Sequence, residues 1–315
     1  MIQKLKNNNK IIVNTDIDGI LSGLLLHHFC DCEIVGFSNS IDKVWIDQSK
    51  CKTIFDAVYI DMFVAHPNVI SIDQHIIALN EEHHSYLVRN SNKTNPNIDN
   101  PRHHLPNSLY YKKYPFGTVH YLISKLHKEF FCTNSLLLNN ESDNLKFIDF
   151  LLRADDAMKT SVDSNYIQNA SEWWQWLAAE SNDNPTIIAI MEYLKTITPN
   201  KSATIKTQIA HKLQQEFQSD TTDGGFKEVC NPEQKIKENL KTYIRFLADL
   251  GGLKYPDLDL NLTCFSGTNY RIELAAHQID GLIKLNRIDG KTCFSYAFVK
   301  SSGKPENFSY TIMKD

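Results

Sequence analysis

The chain lacks the cysteine patterns that would cross-link it or bind zinc. Its seven cysteines are an odd number, and no Cys-x-x-Cys pair or other zinc-ligand spacing occurs among them. Cys30 and Cys32 are too close in sequence for an easy disulfide. We therefore expect reduced, mostly buried thiols and a cytoplasmic protein.

The sequence also lacks a long hydrophobic run, a targeting segment and an excess of positive charge. The longest apolar run, at 20–26, is too short to span a bilayer. The basic start "MIQKLKNNNK" has no apolar signal-peptide segment, so we expect no membrane association. The net charge of −4 argues against binding to duplex DNA, which needs a basic face. A bound cation would still allow a short phosphorylated substrate.

What the chain does contain is an alternation of strand and helix patterns. Of its 315 residues 42% are hydrophobic, as in a globular protein with room for two domains. Continuous β-branched runs predict strands buried on both faces at 10–15, 32–38, 56–61 and 68–73. Because a helical pattern at 18–29 follows the first strand, we predict an α/β fold with a parallel, doubly wound sheet.

The rest of the chain divides by its composition. The polar segment 76–108 is typical of a long loop, and helical patterns over 117–218 predict a helical extension of the first domain. We predict a first domain at 1–222, a linker and connector helix at 223–250, and a smaller β-rich or α/β domain at 251–315.

Aspartates follow three of the predicted early strands. Asp16 and Asp18 come after the first, and Asp61 and Asp73 end the other two. One such aspartate is commonly a turn residue or a helix N-cap, but parallel strands bring their carboxyl ends to the same edge. Clustered carboxylates repel one another unless a cation lies among them, and Mg²⁺ and Mn²⁺ prefer oxygen ligands. We therefore predict a divalent-metal site there, and paired ions of this kind hydrolyse phosphate esters.

Four segments occur in an order that resembles a known family. They are NTDIDGILSGLLL (14–26), VYIDMF (58–63), SIDQH (71–75) and FIDFLLRADDA (147–157). Together they resemble the motifs of the DHH family of phosphoesterases. That family includes RecJ-type exonucleases, nanoRNases, cyclic dinucleotide phosphodiesterases, family II pyrophosphatases and exopolyphosphatases. In addition, PFGTVHYLISKL (115–126) is similar to the Gly-Thr or Gly-Ser segment that follows the third motif.

The resemblance implies a site for two Mn²⁺ or Mg²⁺ ions. The acids it assigns as ligands are Asp16, Asp18, Asp61 and Asp155. Asp156 is the alternative to Asp155 in the fourth motif. By the same resemblance His75 contacts the substrate phosphate, and Asp73 orients its neighbours as part of the catalytic set.

The chain departs from the family pattern at three places. Asn14 and Gln74 occupy positions where the family usually has metal-binding histidines, and we treat both amides as weaker ligands. The family's C-terminal substrate-binding domain carries a Gly-Gly-Gly-His-type loop, which this sequence lacks. Arg271 is a candidate replacement for holding the substrate.

We therefore expect a metal-dependent hydrolase that cleaves phosphoester bonds of a short oligonucleotide or small nucleotide. A pyrophosphatase or exopolyphosphatase would use the same metals. A catalytically degenerate nucleotide-binding or interaction protein is the alternative that Asn14 and Gln74 favour, and a structural subunit without a ligand is the third. An oligomer is compatible with the sequence.

Two further patterns have structural explanations. The segment EWWQW (172–176) is more typical of core packing or a domain contact than of base stacking. The histidine pair at 27–28 is expected to be structural, because adjacent helix residues do not share a face. The pairs at 83–84 and 103–104, in the predicted loop, are candidates to lend an imidazole to the site.

Overall fold

The computed structural model describes most of the chain as an α/β fold. The described residues are 1–102, 112–130, 147–273, 287–288, 290–298 and 308–314. The strands are β1 (Lys10–Asn14), β2 (Glu33–Ser38), β3 (Lys43–Asp47), β4 (Val58–Ile60), β5 (Ser71–Ile72), β6 (Lys93–Thr94), β7 (Leu262–Ile272), β8 (Arg287–Ile288), β9 (Lys291–Thr292), β10 (Ser295–Phe298) and β11 (Phe308–Met313). The α-helices are α1 (Ile2–Asn7), α2 (Ile17–Cys30), α3 (Glu81–Arg89), α4 (Pro96–Asp99), α5 (Thr118–Phe130), α6 (Phe147–Arg153), α7 (Ile167–Glu180), α8 (Pro185–Leu194), α9 (Pro199–His211) and α10 (Glu238–Gly251).

One large sheet runs through the molecule in the order β10-β11-β7-β3-β2-β1-β4-β5-β6. The strands from β2 to β6 in this order pair in parallel. The other strands of the sheet pair antiparallel. The predicted α/β class is confirmed, but the sheet as a whole is mixed, because β3 and the C-terminal strands join it antiparallel. The doubly wound arrangement stays a prediction.

The polar residue that ends β1 is buried because β1 is buried on both faces. Ile11 and Val13 pack in the main core together with the helices, whereas Ile12 packs in a second cluster on the opposite face. Since successive side chains of a strand point to opposite faces, a wholly apolar strand is buried on both. Asn14, which ends this strand, is therefore buried as well.

The segment predicted as a loop at 76–108 contains two helices, so that prediction was wrong over α3 and α4. Asn80 caps α3 by accepting a hydrogen bond from the backbone N–H of His83 at 2.8 Å. His83 and Leu87 are the buried residues of this helix. With so few apolar positions the helical period is hard to see in the sequence. Residues from 103 onward in this segment lie outside the described residues.

The C-terminal strands pair directly with the N-terminal part of the chain. β7 pairs with β3 from Lys43–Ser266 to Asp47–Leu262, and β11 pairs with the following half of β7. Helix α10 packs its buried face into the main core. The predicted domain boundaries stay a prediction, and residues 131–146 of the predicted helical extension lie outside the described residues. None of the described helices combines the length and the apolar character needed to cross a membrane.

Lys93 fixes the loop between β4 and β5. Its ammonium donates to three backbone carbonyls, those of Val64, His66 and Val69, at 2.6, 2.9 and 2.6 Å. Burial lowers the pKa of Lys93 to about 7, and the carboxylate of Asp73 opposes that shift. Because the loop follows Asp61 and precedes Asp73, Lys93 positions both acids.

Candidate metal centre

Acidic side chains from three strand ends meet at one edge of the sheet. Asp16 follows β1, Asp61 follows β4, and Asp73 follows β5. Asp155 joins them from the turn after α6. Ligand atoms of Asp61, His75 and Asp155 all lie within 4.8 Å of one another. The structure thus brings the predicted residues together, and their role as ligands stays a prediction.

Asp61 lies at the centre of this group. Its backbone is left-handed, with a φ of 60°, a conformation that Asp and Asn adopt more readily than most residues. Its Oδ1 accepts from Thr118 Oγ1 at 2.9 Å and its Oδ2 from Asn14 Nδ2 at 3.1 Å. Burial, followed by the charges of neighbouring aspartates of which Asp18 is the first, raises the pKa of Asp61 well above its ordinary 3.8. An ionised Asp61 therefore needs positive charge beside it.

Asn14 lies against the acids as a hydrogen-bond donor. Its Nδ2 donates to Asp16 Oδ2 at 2.7 Å as well as to Asp61. Its Oδ1 accepts from the backbone N–H of Thr15 at 2.8 Å. As placed, the amide turns its nitrogen toward the acids, and a nitrogen that donates cannot ligate a cation. Ligation by Asn14 requires the opposite amide orientation and the loss of the bond from Thr15.

Asp18 is held by the beginning of α5. Its two carboxylate oxygens accept from the backbone N–H groups of Thr118 at 2.6 Å and Val119 at 2.8 Å. The first N–H groups of a helix have no partner within the helix, so they bind an anion well. A side chain at Gly117 would displace this carboxylate, because a Cβ there would lie 2.6 Å from Asp18 Oδ1. The Gly-Thr pair seen in the sequence thus orients Asp18.

Asp73, Gln74 and His75 contact different neighbours. Asp73 Oδ1 accepts from the backbone N–H of His75 at 2.7 Å. Gln74 Nε2 donates to the carboxylate of Asp155. The Nδ1 atom of His75 lies 3.8 Å from a carboxylate oxygen of Asp61 and 3.8 Å from one of Asp73, and its side chain is 29% exposed. His75 therefore approaches the acids from the open side, and Gln74 does face the site.

The two neighbouring acids Asp155 and Asp156 point to different partners. Both have left-handed backbones, with φ of 47° and 58°, so the helix predicted to run through 157 ends at Arg153. Asp156 Oδ1 accepts from Arg153 and from Lys206, each at 2.9 Å. Asp155 instead joins His75. Asp155 is exposed on one side but crowded by protein on the others. This partial loss of hydration raises the pKa of Asp155 to about 6, and the neighbouring His75 opposes the rise.

Asp223 is an acid of the site that the sequence analysis missed. Its backbone carbonyl accepts from the N–H of Ile17 at 2.9 Å, which brings the segment predicted as a linker against the start of α2. Burial, followed by the charge of Asp223, raises the pKa of Asp16 well above 3.8. The signal available in the sequence was the glycine that follows Asp223, because glycine is typical of turns with a positive φ. In the structure Gly224 has a φ of 93°.

Arg271 lies away from these acids. It is exposed on β7 and lines neither of the two pockets that the described residues form beside the cluster. The structure gives it no contact with the predicted ligands among the described residues. The histidine pair at 103–104 lies outside the described residues.

The other aromatic candidates have structural positions. Nδ1 of His83 accepts from the backbone N–H of Leu79 at 3.1 Å, and its Nε2 lies 3.2 Å from the hydroxyl of Tyr296. The imidazole of His83 is thus engaged on both sides and is not directed at the acids. Trp173 and Trp174 are buried in the main core, so the prediction of core packing is confirmed.

The donor set fits a hard divalent cation. Carboxylates predominate, with one imidazole, and such a set suits Mg²⁺ or Mn²⁺ better than zinc. Burial, followed by the charges of neighbouring aspartates, raises the pKa values of Asp16 and Asp61, and a cation beside them would offset both effects. The residues whose ligand atoms are close enough to share a cation are Asp61, His75 and Asp155. Asp16 and Asp18 stay predicted ligands beside them.

Comparisons with known proteins return no relative. A scan against protein-family models finds no match, and neither the search of curated proteins nor the search of solved structures finds one. The functional interpretation therefore depends on the residues of the site.

We expect the substitution Gln74→His to raise the affinity for Mn²⁺ by about tenfold, or about 1.4 kcal/mol. Gln74 already reaches Asp155, and imidazole is a better ligand for Mn²⁺ than an amide oxygen. Isothermal titration with MnCl₂ measures the change. Gln175→His is the matched control, because Gln175 is exposed on α7 and does not line the pockets described beside the acids. Equal affinities for the wild type and Gln74→His would contradict the placement of Gln74 at the site.

Proposed function

We propose that the chain is a metal-dependent hydrolase of the DHH type that cleaves phosphoester bonds in a small phosphorylated compound, such as a nucleotide or short oligonucleotide. The observation that carries the proposal is the close approach of the ligand atoms of Asp61, His75 and Asp155, within 4.8 Å of one another. Asp16 and Asp18 lie beside them. A cytoplasmic location belongs to the same proposal.

The protein's own groups have separate tasks in this proposal. Bound Mn²⁺ or Mg²⁺ would supply a water of lowered pKa and offset the charge of the phosphoryl oxygens. Thr118 and Asn14 fix the orientation of Asp61 through hydrogen bonds to its two oxygens. His75 supplies the imidazole that position 74 lacks, and its exposed edge faces the pocket where a substrate enters.

One observation favours a second function, that of a catalytically degenerate protein that binds a nucleotide or a partner. Asn14 donates to both Asp16 and Asp61, and so offsets part of their charge without a metal. A pyrophosphatase or exopolyphosphatase uses the same residues as the leading proposal. Substrate assays separate these three functions.

The test compares two neighbouring acids. With Mn²⁺ or Mg²⁺ present, we expect Asp155→Asn to lower kcat/KM by at least about 100-fold, because it removes a ligand. Asp156→Asn should cost much less, about tenfold at most, since Asp156 lines the neighbouring pocket but pairs with Arg153 and Lys206. Asn tolerates the left-handed backbone at both positions. Short RNA, cyclic dinucleotides and pyrophosphate are the substrates to assay.

Two outcomes contradict the proposal. If the purified wild type turns over none of these substrates and elemental analysis finds no bound metal, the chain is not a metal-dependent phosphoesterase. If Asp156→Asn abolishes turnover and Asp155→Asn does not, the ligand set is wrong.

A further inference from the structure

A pocket of about 240 Å³ opens directly beside the candidate metal centre. Its lining includes His75 and Asp155 together with Lys113, Lys159 and Tyr166. Its volume is below the roughly 300–1,000 Å³ of common small-molecule sites. A ligand that reaches from the acids to the lysines is therefore compact.

The lining of this pocket carries charges of both signs. Asp156, which also lines it, is already paired with Arg153 and Lys206. Lys159 is exposed, and the charge of Lys113 is felt at Asp155, where it opposes the rise of that pKa. Two lysines thus line the same cavity as His75 and Asp155, which belong to the proposed site.

The backbone that carries these lysines is anchored. The carbonyl of Lys113 accepts from Asn169 Nδ2 at 3.0 Å, and the preceding carbonyl, of Lys112, accepts from Trp173 Nε1 at 3.1 Å. The carbonyl of Lys159 accepts from the N–H of Val162 at 3.1 Å. Because both lysines start from fixed positions, their ammonium groups have less freedom to lose when an anion binds.

We infer that Lys113 and Lys159 form a subsite for a second anionic group of the substrate, a phosphate or a carboxylate. The inference depends on the proposed function, since it places the first phosphate at Asp61, His75 and Asp155. It narrows the substrate to a compact phosphoester whose second anionic group binds in the pocket next to the scissile phosphate. It also assigns substrate selection to residues of the helical part of the chain instead of Arg271.

The experiment uses non-hydrolysable probes in the presence of Mg²⁺. Methylenebisphosphonate carries two phosphonates, phosphonoacetate carries a phosphonate and a carboxylate, and methylphosphonate carries one anion only. We expect Lys113→Met and Lys159→Met each to weaken the binding of a two-anion probe by about tenfold in isothermal titration. Binding of methylphosphonate should change by less than about twofold. The two-anion probe that loses more affinity identifies the second group as phosphate or carboxylate.

A matched control is available at the opposite end of α2. Lys254 is 61% exposed, and its backbone N–H donates to His28 at 2.9 Å, near the end of α2 that lies away from Asp16. Lys254→Met should leave all three probes unchanged. Lys113→Gln and Lys159→Gln repeat the test if either methionine variant folds poorly.

The outcomes distinguish the subsite from the proposed function. If the wild type binds Mn²⁺ and hydrolyses a substrate, but the lysine variants bind both two-anion probes within about twofold of the wild type, the subsite is wrong and the function stands. If Lys254→Met weakens the probes as much as the pocket variants do, the effect is one of general charge and the subsite is again wrong. If no metal binds and nothing is hydrolysed, the proposed function fails, and the inference fails with it.

Discussion

Asp61→Asn is expected to lower the affinity for Mn²⁺ by at least about 100-fold, because loss of an outer-shell partner alone typically costs 10–100-fold and Asp61 is the proposed central ligand. Asparagine keeps the left-handed backbone. Its amide can still exchange a hydrogen bond with Thr118, whose hydroxyl donates or accepts. Isothermal titration with MnCl₂ and turnover assays measure the loss.

The same substitution should stabilise the metal-free protein. The folded-state pKa of Asp61 is raised above 3.8. Its contribution to stability is therefore present below about pH 4 and is lost as the pH rises through the folded-state value. Asp61→Asn has no such loss, so its stability advantage over the wild type in EDTA should grow as the pH rises above about 4. A variant that is less stable than the wild type at the higher pH would contradict this account.

Asp47 is the matched control, because it is a buried aspartate whose pKa is lowered instead of raised. Burial acts to raise the pKa of Asp47, but hydrogen bonds from Ser49 and Asn261 lower it below 3.8. Asp47→Asn removes an acceptor from those donors. We expect it to destabilise the protein at neutral pH and to leave the affinity for Mn²⁺ unchanged.

Lys93→Met is expected to lower the free energy of unfolding by about 3 kcal/mol, because it leaves three carbonyls, two of them buried, without their donor. For a chain of 315 residues that is a fall in Tm of about 4–5 °C. The affinity for Mn²⁺ should fall as well, since the freed loop connects Asp61 to Asp73. Thermal unfolding and metal titration provide the two measurements.

Lys125→Met makes the same chemical change at a partly exposed position. Lys125 pairs with Asp99 at 3.0 Å and Glu180 at 3.2 Å, and such pairs contribute at most about 1 kcal/mol. A Lys93→Met protein as stable as Lys125→Met would mean that the loop does not depend on its lysine.

The site was largely predictable because its acids follow buried strands. The apolar runs ending at Asp16, Asp61 and Asp73 predicted strands, and pairing of those strands in parallel places their ends together. The orientation of the amides was not predictable. Whether Asn14 presents its oxygen or its nitrogen depends on the N–H of Thr15, a contact that no pattern in the sequence reports.

The parts that the sequence did not predict depend on distant contacts. Asp223 reaches the site because Phe226, three residues further on, accepts from and donates to the hydroxyl of Thr15, which is 211 residues away. Strand β3 is a short apolar segment whose place is set by its pairing with β7 near the end of the chain. Local propensity carries no information about either partner.

The shared strand β7 has a consequence for how ligands are exchanged. Its first half forms a five-residue ladder with β3, and its second half carries β11. A rigid-body rotation of the C-terminal strands away from the acids would either break the ladder with β3 or bend β7 near Gly267. The N–H of Gly267 donates to the carbonyl of Asp42 at 2.6 Å. Each backbone bond lost costs about 1 kcal/mol net, so a wide-open state is rarely populated. Among the described residues the sheet continues through β7, so a ligand of the proposed site would enter by a pocket that is already open.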